Sequence, residues 1–235
     1  NSQIYIKGSH TTINVFSDTE WMGGGNLSIT IEDCRAVQFL GSKVINIDGS
    51  NDPVINFSNN TEVYIKDCLL KNISGYVMLA EYSNIIHFNN MMVQNIKVSK
   101  PNQTQQGSLV LVRASQVLIL SKCQFINIFF SALRISSITD ARFLNTTFFN
   151  CVCPLRISLD ANKSNLKLLL LESHFFSCFC KTSGGALRIK DSIEVSNREK
   201  HQNLNKNFHH YQKYSINIKH TVFHKCHSKL HGGAP

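Results

Sequence analysis

Internal repetition is the feature that most constrains what this chain of 235 residues can fold into. A short step of four residues recurs along the chain. It consists of a hydrophobic residue, any residue, a polar residue, and then isoleucine or cysteine. The steps occupy residues 70–73, 93–96, 125–128, 148–151, 175–178 and 223–226. The spacing from Asn72 to Asn95, and again from Asn127 to Asn150, is 23 residues. A fixed period in this range is the signature of a solenoid, in which each repeat forms one coil.

Each step is flanked by segments in which apolar and other residues alternate. The preceding segments are 63–65, 85–88, 117–120, 141–144, 166–171 and 215–218. The following segments are 77–79, 109–111, 133–135, 155–157 and 187–189. Alternation with a period of two is typical of half-buried β-strands rather than helices. We therefore predict two strands and two turns per coil, with equivalent strands stacked in parallel about 4.8 Å apart.

The repeat resumes in phase along the whole sequence, which predicts a single domain over residues 1–235, as a module or fragment of a longer assembly. Residues 1–33 read as an irregular first coil and residues 54–57 as an extra strand. The polar segments 97–107 and 191–214 are predicted to be loop excursions between strands. The hydrophobic content of 43% is sufficient for a continuous core. The sequence contains no window of about 18 apolar residues that could span a membrane.

The polar residue of the step is asparagine in four copies, Asn72, Asn95, Asn127 and Asn150. Asparagine tolerates the left-handed conformation that a sharp bend requires. On stacked coils its amides can also hydrogen-bond to one another, as in cross-β stacks. We predict an asparagine ladder along one bend of the solenoid.

An asparagine ladder beside inward stacks of Phe, Ile and Leu resembles the right-handed parallel β-helix of the pectate-lyase-like superfamily. The pairing of these steps with Gly184-Gly185-Ala186 and Gly232-Gly233-Ala234 is similar to the chlamydial polymorphic outer-membrane proteins and to the cysteine-rich β-helix surface proteins of ciliates. The resemblance spans roughly residues 60–235. It implies an all-β, right-handed parallel β-helix with an extracellular, mostly non-catalytic, adhesive or structural role.

Eight cysteines form an even set that suits an oxidising compartment. They are Cys34, Cys68, Cys123, Cys151, Cys153, Cys178, Cys180 and Cys226. Like positions on stacked coils bring Cα atoms within reach of a disulfide. We predict disulfides from this set, foremost Cys151–Cys178 and Cys153–Cys180, with Cys226 able to take one partner instead.

Two alternatives for the cysteines remain open. They could be buried thiols in a phenylalanine-rich core. They could also bind a metal together with His174 and His227, although the Cys-x-Cys spacing is not the usual gap of two to four residues. We predict no metal site and no cofactor. The histidine-rich segment 191–214 is interpreted as a contact with a neighbouring molecule.

Acceptor sequences for N-linked glycans support secretion to the cell surface or the extracellular space. They occur at Asn26, Asn56, Asn59, Asn72, Asn102, Asn145 and Asn162. The ladder is expected to occupy Asn72, so the other six are the predicted glycan sites, with Asn102 and Asn162 in turns as the best candidates.

Three consecutive Leu-Arg-Ile strands place Arg134, Arg156 and Arg188 at one outward position, in a chain with a formal net charge of +9. Stacked like charges repel one another. Either the carboxylates of Asp140, Asp160 and Asp191 relieve this repulsion, or an anionic ligand does. Acidic polysaccharide is the candidate ligand, because arginine binds carboxylate and sulfate in a bidentate manner. A solvated charged face that binds no ligand is the more common interpretation of such a row. The sequence contains no recognised nucleic-acid-binding module, and we predict no such partner.

A polysaccharide-degrading enzyme is the least favoured function class. Arg188-Ile189-Lys190 resembles a motif of the polygalacturonases, but the acidic motifs of that family are missing, and glycoside hydrolysis needs two closely placed carboxylates. The sequence therefore predicts a secreted, glycosylated, non-catalytic module of an extracellular filament that assembles end to end. The alternative is a carbohydrate-binding adhesin.

Overall fold

The computed structural model describes residues 2–48, 52–97, 108–159, 165–180, 185–191 and 213–228. Every regular element within these ranges is a β-strand. In chain order the first strands are β1 (Ser2–Lys7), β2 (Ile13–Ser17), β3 (Glu20–Met22), β4 (Leu27–Glu32), β5 (Ala36–Leu40), β6 (Lys43–Ile45), β7 (Ile55–Ser58), β8 (Glu62–Lys66) and β9 (Leu69–Lys71). The next are β10 (Met78–Glu81), β11 (Ile85–Asn89), β12 (Met92–Ile96), β13 (Ser108–Arg113), β14 (Val117–Ser121), β15 (Gln124–Ile128), β16 (Ser131–Ser136), β17 (Asp140–Leu144) and β18 (Thr147–Cys151). The last are β19 (Leu155–Leu159), β20 (Asn165–Leu171), β21 (His174–Phe176), β22 (Phe179–Cys180), β23 (Leu187–Asp191), β24 (Lys213–Lys219), β25 (Val222–His224) and β26 (His227–Ser228).

The strands wind into a parallel β-solenoid with three long faces. Sheet A has the order β1-β4-β7-β10-β13-β16-β19-β23, and sheet B has the order β2-β5-β8-β11-β14-β17-β20-β24. Sheet C runs β3-β6-β9-β12-β15-β18-β21-β25, and β22 pairs separately with β26. Each coil thus contributes one strand to each of the three sheets. Like positions of successive coils lie in register, as when Leu133 pairs with Leu155 and Leu155 with Leu187.

Single residues with left-handed backbone turn the chain at each corner of the column. The corner from sheet A to sheet B uses Asp33, Asn59, Tyr82, Ala114 and Ser137. The corner from sheet B to sheet C uses Asp18, Gly41, Asp67, Asn90, Lys122, Asn145, Glu172 and His220. The corner from sheet C to sheet A uses Asn46, Asn72, Asn95, Asn127, Asn150, Ser177 and Lys225. Asn, Asp and Gly adopt this conformation most readily, which explains their frequency at these positions.

The residue after many of these corner residues is buried and hydrogen-bonds in a uniform way. Its hydroxyl or thiol donates to the carbonyl two residues earlier, as Ser115 does to Arg113 at 3.1 Å and Ser173 does to Leu171 at 3.2 Å. Several also donate to a strand of the preceding coil, as Ser173 does to the Phe143 carbonyl at 3.3 Å. These small polar side chains give the corner carbonyls a second hydrogen bond, since the Leu171 carbonyl, for example, also accepts from the Asn145 backbone N–H at 2.9 Å.

One hydrophobic core fills the column, and aromatic side chains stack through it. Phe125, Phe148, Phe175 and Phe223 form a continuous pile with ring centroids 4.9, 4.8 and 5.0 Å apart. The first three of these rings are fully buried. At the first coils, Trp21 packs against Phe39 at 5.9 Å. Offset stacking at such distances adds to the free energy gained from burial.

Three expectations from the sequence need correction. The step containing Phe148 is itself a strand of sheet C, so each coil has three strands rather than two. Residues 2–22 form a regular first coil of β1, β2 and β3, and β1 pairs with β4 of the second coil over six residues. The segment predicted as an extra strand overlaps β7, a regular member of sheet A. The predicted excursions lie outside the described residues, apart from Lys97, Asp191 and residues 213–214.

Candidate functional site

Arg134, Arg156 and Arg188 lie directly above one another on the outer face of sheet A. The register pairs Arg134 with Arg156 and Arg156 with Arg188. The flanking Leu and Ile residues of these strands point into the core, which forces the arginines outward. We call these three residues the arginine column. Adjacent parallel strands are about 4.8 Å apart, and two unit charges at that separation repel by about 1 kcal/mol even in water.

The outward residues that follow Arg134 and Arg156 on their strands carry no negative charge. They are Ser136 on β16 and Ser158 on β19, which pair with each other and lie half-buried. One coil earlier in the same row, Arg113 forms an ion pair with Glu81 at 2.5 Å. This row therefore changes from a paired arginine to hydroxyl groups along the column axis.

The carboxylate expected to relieve this repulsion binds elsewhere. Asp140 holds Arg142, which lies on sheet B, through bonds of 3.0 Å from Nε and 2.6 Å from Nη2. Asp160 lies outside the described residues, and only the backbone of Asp191 is described. Within the described part of the chain, Arg156 makes no salt bridge to a carboxylate.

Arg156 is the most constrained member of the arginine column. Its Nη2 lies 2.9 Å from the Cys153 sulfur and 3.7 Å from the Cys180 sulfur. Its Nε is buried and has no hydrogen-bond partner within the described residues. Burial lowers the pKa of Arg156, and the neighbouring charges of Arg188 and Arg134 lower it further. A bound anion would oppose the second effect, because it would neutralise the stacked cations of the arginine column.

The Cys153–Cys180 disulfide is present, and it links adjacent coils with Cα atoms 4.6 Å apart. The predicted Cys151–Cys178 disulfide is wrong: both residues are buried free thiols, as is Cys226. All three follow a corner residue, and the Cys151 thiol donates to the Phe149 carbonyl at 3.4 Å and to the Phe125 carbonyl at 3.3 Å. These bonds orient the Cys151 thiol toward carbonyls.

The remaining cysteines also replace a hydroxyl residue at a corner. Cys34, Cys68 and Cys123 are buried free thiols, so their predicted disulfides are wrong as well. Cys68 donates to the Lys66 carbonyl at 3.2 Å, the same bond that Ser42 makes to Leu40. Burial raises the pKa of Cys34 and Cys68, and it raises the pKa of Cys123 to about 11. Such thiols are structural and unreactive at neutral pH.

The four predicted asparagines are joined by side-chain hydrogen bonds, and the series begins one coil earlier than predicted. Asn72 donates to the Asn46 amide oxygen at 3.0 Å, and Asn95 donates to Asn72 at 3.2 Å. Asn127 donates to Asn95 at 3.0 Å, and Asn150 donates to Asn127 at 2.9 Å. We call these five residues the asparagine ladder. Asn46 has the same left-handed backbone as the others.

An open groove runs beside the asparagine ladder. It has a volume of about 400 Å³ and is lined by Asn72, Ile73, Ser74, Asn95, Lys97 and Phe129. Phe129 is 53% exposed, and Lys97 lies 5.8 Å from the centre of its ring. The amides that line the groove already bond to one another, so their remaining capacity for a ligand is small.

The sequence pattern did not reveal a band of aromatic rings and histidines on the outer face of sheet C and on β22 and β26. His174 stacks on Phe176 at 5.7 Å, and Phe176 meets His224 edge-on at 6.1 Å. Phe179 contacts His227 at 5.0 Å. Phe176 and His224 occupy equivalent positions on adjacent coils, as do Phe179 and His227. This recurrence is the signal that could have predicted the band. His174 and His227, considered as metal ligands, pack against rings here.

The predicted glycosylation sites differ in accessibility. Asn26 and Asn145 are exposed, whereas Asn59 donates its amide to Asp33 at 2.7 Å. The Asn56 side chain is half-buried, and its amide oxygen is enclosed without a partner. Asn102 and Asn162 lie outside the described residues. The histidine-rich centre of the segment 191–214 also lies outside them.

The described residues contain no group of three or more His, Cys, Asp or Glu side chains arranged to hold a metal ion. They also contain no helix of the length and apolar character that a bilayer crossing requires.

Comparison with known proteins gives little. No family model matches this sequence, and no curated protein matches it. Among solved structures, the chain is similar to QnrB1, a plasmid-mediated fluoroquinolone resistance protein, at 12% identity and a TM-score of 0.25. That alignment covers 81% of this chain and 91% of that chain. A likeness at this level supports no argument about function.

Proposed function

We propose that this chain is a non-catalytic β-solenoid of the cell surface or the extracellular space that binds acidic polysaccharide along the arginine column. The observation that carries the proposal is the register of Arg134, Arg156 and Arg188 on one face, where Arg156 makes no salt bridge to a carboxylate among the described residues. The narrower assignment to the pectate-lyase-like superfamily, secretion, and N-linked glycosylation at the exposed Asn26 and Asn145 belong to the same proposal.

A polymer with repeated anionic groups fits this face better than a single small anion. The Cα atoms of the arginines recur with the strand spacing of about 4.8 Å along the column axis. A sulfated or carboxylated glycan that lies along the axis meets one cation per coil. The Ser136 and Ser158 hydroxyls beside the column supply neutral hydrogen-bonding groups for sugar hydroxyls. Binding of this kind weakens with salt, because exposed charges are screened.

The test is a calorimetric titration with dextran sulfate as the probe and neutral dextran as the comparison. The wild-type protein is expected to bind dextran sulfate and not dextran. The variant Arg134→Gln/Arg156→Gln/Arg188→Gln is expected to lose at least tenfold in affinity. The matched control is Lys66→Gln/Lys122→Gln/Arg142→Gln, which removes the same number of positive charges from exposed positions away from sheet A. Equal losses in both variants would contradict the proposal, because net charge alone would then explain binding.

End-to-end assembly into filaments is a second candidate, and β24, the last strand of sheet B, favours it. Ile216 and Ile218 of β24 are 47% and 44% exposed, although their partners Leu168 and Leu170 one coil earlier are buried. At the other end, β1, β2 and β3 each pair on one side only among the described strands. Open strand edges beside apolar cross-sections favour the addition of a further coil, and non-closing contacts of this kind build fibres.

Sedimentation and negative-stain images distinguish this candidate from the first. The wild-type chain is expected to form rods that lengthen with concentration, and Ile216→Glu/Ile218→Glu is expected to remain monomeric. The control Ile85→Glu changes a residue that is 40% exposed on the lateral face of sheet B, and it is expected to assemble normally. A wild-type chain that stays monomeric at every concentration would rule out the filament.

A further inference from the structure

The Cys153–Cys180 disulfide and the arginine column share one residue. The Nη2 atom of Arg156 lies 2.9 Å from the Cys153 sulfur and 3.7 Å from the Cys180 sulfur. A disulfide sulfur is neutral and accepts hydrogen bonds weakly. A thiolate at the same place would carry a full negative charge next to the guanidinium. The contact therefore stabilises the reduced form of Cys153 far more than it stabilises the disulfide.

We propose that the Cys153–Cys180 disulfide is a redox site that controls anion binding, in which Arg156 holds the Cys153 thiolate after reduction by a dithiol and is thereby withdrawn from the arginine column. The control of anion binding rests on the proposed function, whereas the redox site does not. Of the eight cysteines, only these two form a bridge; the other six are buried free thiols that donate to corner carbonyls.

The exchange reaction has a defined direction. One thiolate of the dithiol attacks the Cys180 sulfur, the bond between Cys180 and Cys153 breaks, and the electron pair remains on the Cys153 sulfur beside Arg156. The second thiolate of the reagent then attacks the mixed disulfide, and Cys180 leaves as a thiolate that takes up a proton. The reagent departs as its own disulfide, oxidised by two electrons. Cys153 is the favoured leaving group because the better-stabilised thiolate leaves faster.

Reduction and anion binding oppose each other through the charge of Arg156. In the oxidised protein the guanidinium faces a neutral bridge, and its charge adds to those of Arg134 and Arg188. In the reduced protein the Cys153 thiolate cancels that charge at the centre of the column. Because coupling between two equilibria is reciprocal, a bound polyanion must also make the disulfide harder to reduce.

The redox half of the proposal is tested at equilibrium, since both sulfurs are buried and rates depend on local opening. The protein is equilibrated with buffers of reduced and oxidised dithiothreitol, quenched with acid and alkylated, and the peptides that contain Cys153 and Cys180 are quantified by mass spectrometry. Arg156→Gln is expected to shift the equilibrium at least tenfold toward the disulfide, which is about 30 mV. Arg156→Lys is expected to restore part of the shift.

Arg134→Gln is the matched control, because it removes a neighbouring cation of the column that has no bond to either sulfur among the described contacts. It is expected to change the equilibrium much less than Arg156→Gln. Identical equilibria for the wild type and Arg156→Gln would overturn the redox site. This readout needs no ligand, so it stands whether or not the chain binds polysaccharide.

The coupling half is tested by titrating dextran sulfate into the oxidised and reduced proteins. The reduced protein is expected to bind at least threefold more weakly. The variant Cys153→Ser/Cys180→Ser has no disulfide and cannot form a thiolate. It is expected to bind dextran sulfate as tightly as the oxidised protein does. Equal affinity of the oxidised and reduced proteins would overturn the coupling. An oxidised protein that does not bind dextran sulfate would overturn the proposed function and the coupling, and leave the redox site to its own measurement.

Discussion

Asn150 donates a hydrogen bond of 2.9 Å to the amide oxygen of Asn127, which in turn donates one of 3.0 Å to Asn95. All three residues have left-handed backbone at the same corner. One residue type thus satisfies two demands at once: it turns the chain, and it ties each coil to the next. The asparagine ladder is therefore a structural device of the column, and the arginine column on sheet A is the better candidate for a ligand.

Replacement of Asn127 should separate these two demands. Asn127→Ala loses both ladder bonds, worth about 0.5–1.5 kcal/mol each, and places alanine in a conformation that costs about 1–2 kcal/mol. We expect the free energy of unfolding to fall by about 2–4 kcal/mol, and by less for Asn127→Gly, which keeps the backbone conformation. Urea denaturation measures both. Asn145→Ala, at a corner outside the ladder, should incur the conformational cost alone, and a loss as large as that of Asn127→Ala would argue against the ladder.

The phenylalanine pile offers a comparison between adjacent residues. Phe148 is fully buried and stacks on Phe125 and Phe175, whereas its neighbour Phe149 points outward and is 46% exposed. Phe148→Ala should lower the free energy of unfolding by about 3–5 kcal/mol, and Phe149→Ala by less than about 1 kcal/mol. Thermal or urea unfolding of the two variants measures the difference. Similar losses would mean that the alternation of inward and outward residues on β18 is misassigned.

The buried thiols should make the fold sensitive to alkaline pH. Burial raises the pKa of Cys123 to about 11 from an ordinary value of 9.0. A raised pKa contributes stability that is complete below pH 9 and is lost as the pH rises to about 11, because the unfolded thiol ionises first. At about 1.4 kcal/mol per pKa unit, the loss from Cys123 approaches 3 kcal/mol.

Cys123→Ser keeps the corner hydrogen bond and removes the titration. Its free energy of unfolding should fall less steeply between pH 9 and pH 11 than that of the wild type, as measured by urea denaturation across that range. Parallel slopes for the two proteins would show that Cys123 does not titrate from a buried position.

Loss of the Cys153–Cys180 disulfide should destabilise the column. The bridge closes a loop with a sequence separation of 27 residues, for which chain entropy gives about 3–4 kcal/mol. Cys153→Ala/Cys180→Ala should lower the free energy of unfolding by about this amount. The comparison variant Cys34→Ala removes a thiol that forms no bridge and should cost less. A double variant as stable as the wild type would show that the native chain does not depend on the bridge.

The coil period, the asparagine positions and the outward arginines could be predicted because they rest on spacing alone. The third strand of each coil was missed because strands such as β9 span only three residues, too short for an alternating pattern to be visible. Asn46 could also have been predicted, because Val44-Ile45-Asn46-Ile47 follows the same pattern as the step at residues 70–73. For the short strands, the register of the column rather than local sequence determines the structure.

The cysteine pairing shows where spacing is insufficient. Sequence correctly places Cys151 and Cys178 at one coil position, but spacing does not fix the orientation of a side chain at a corner. The Cys178 thiol donates to the Phe176 carbonyl at 3.4 Å, and it forms no disulfide with Cys151. The disulfide forms between Cys153 and Cys180, three residues beyond the corner residues Asn150 and Ser177.

The most direct test of the central claim is a crystal structure of the chain with a sulfated oligosaccharide. The account predicts sulfate groups within hydrogen-bond distance of at least two guanidinium groups of the arginine column. Sulfate groups bound away from sheet A, or a carboxylate of this chain already seated on Arg156, would contradict it.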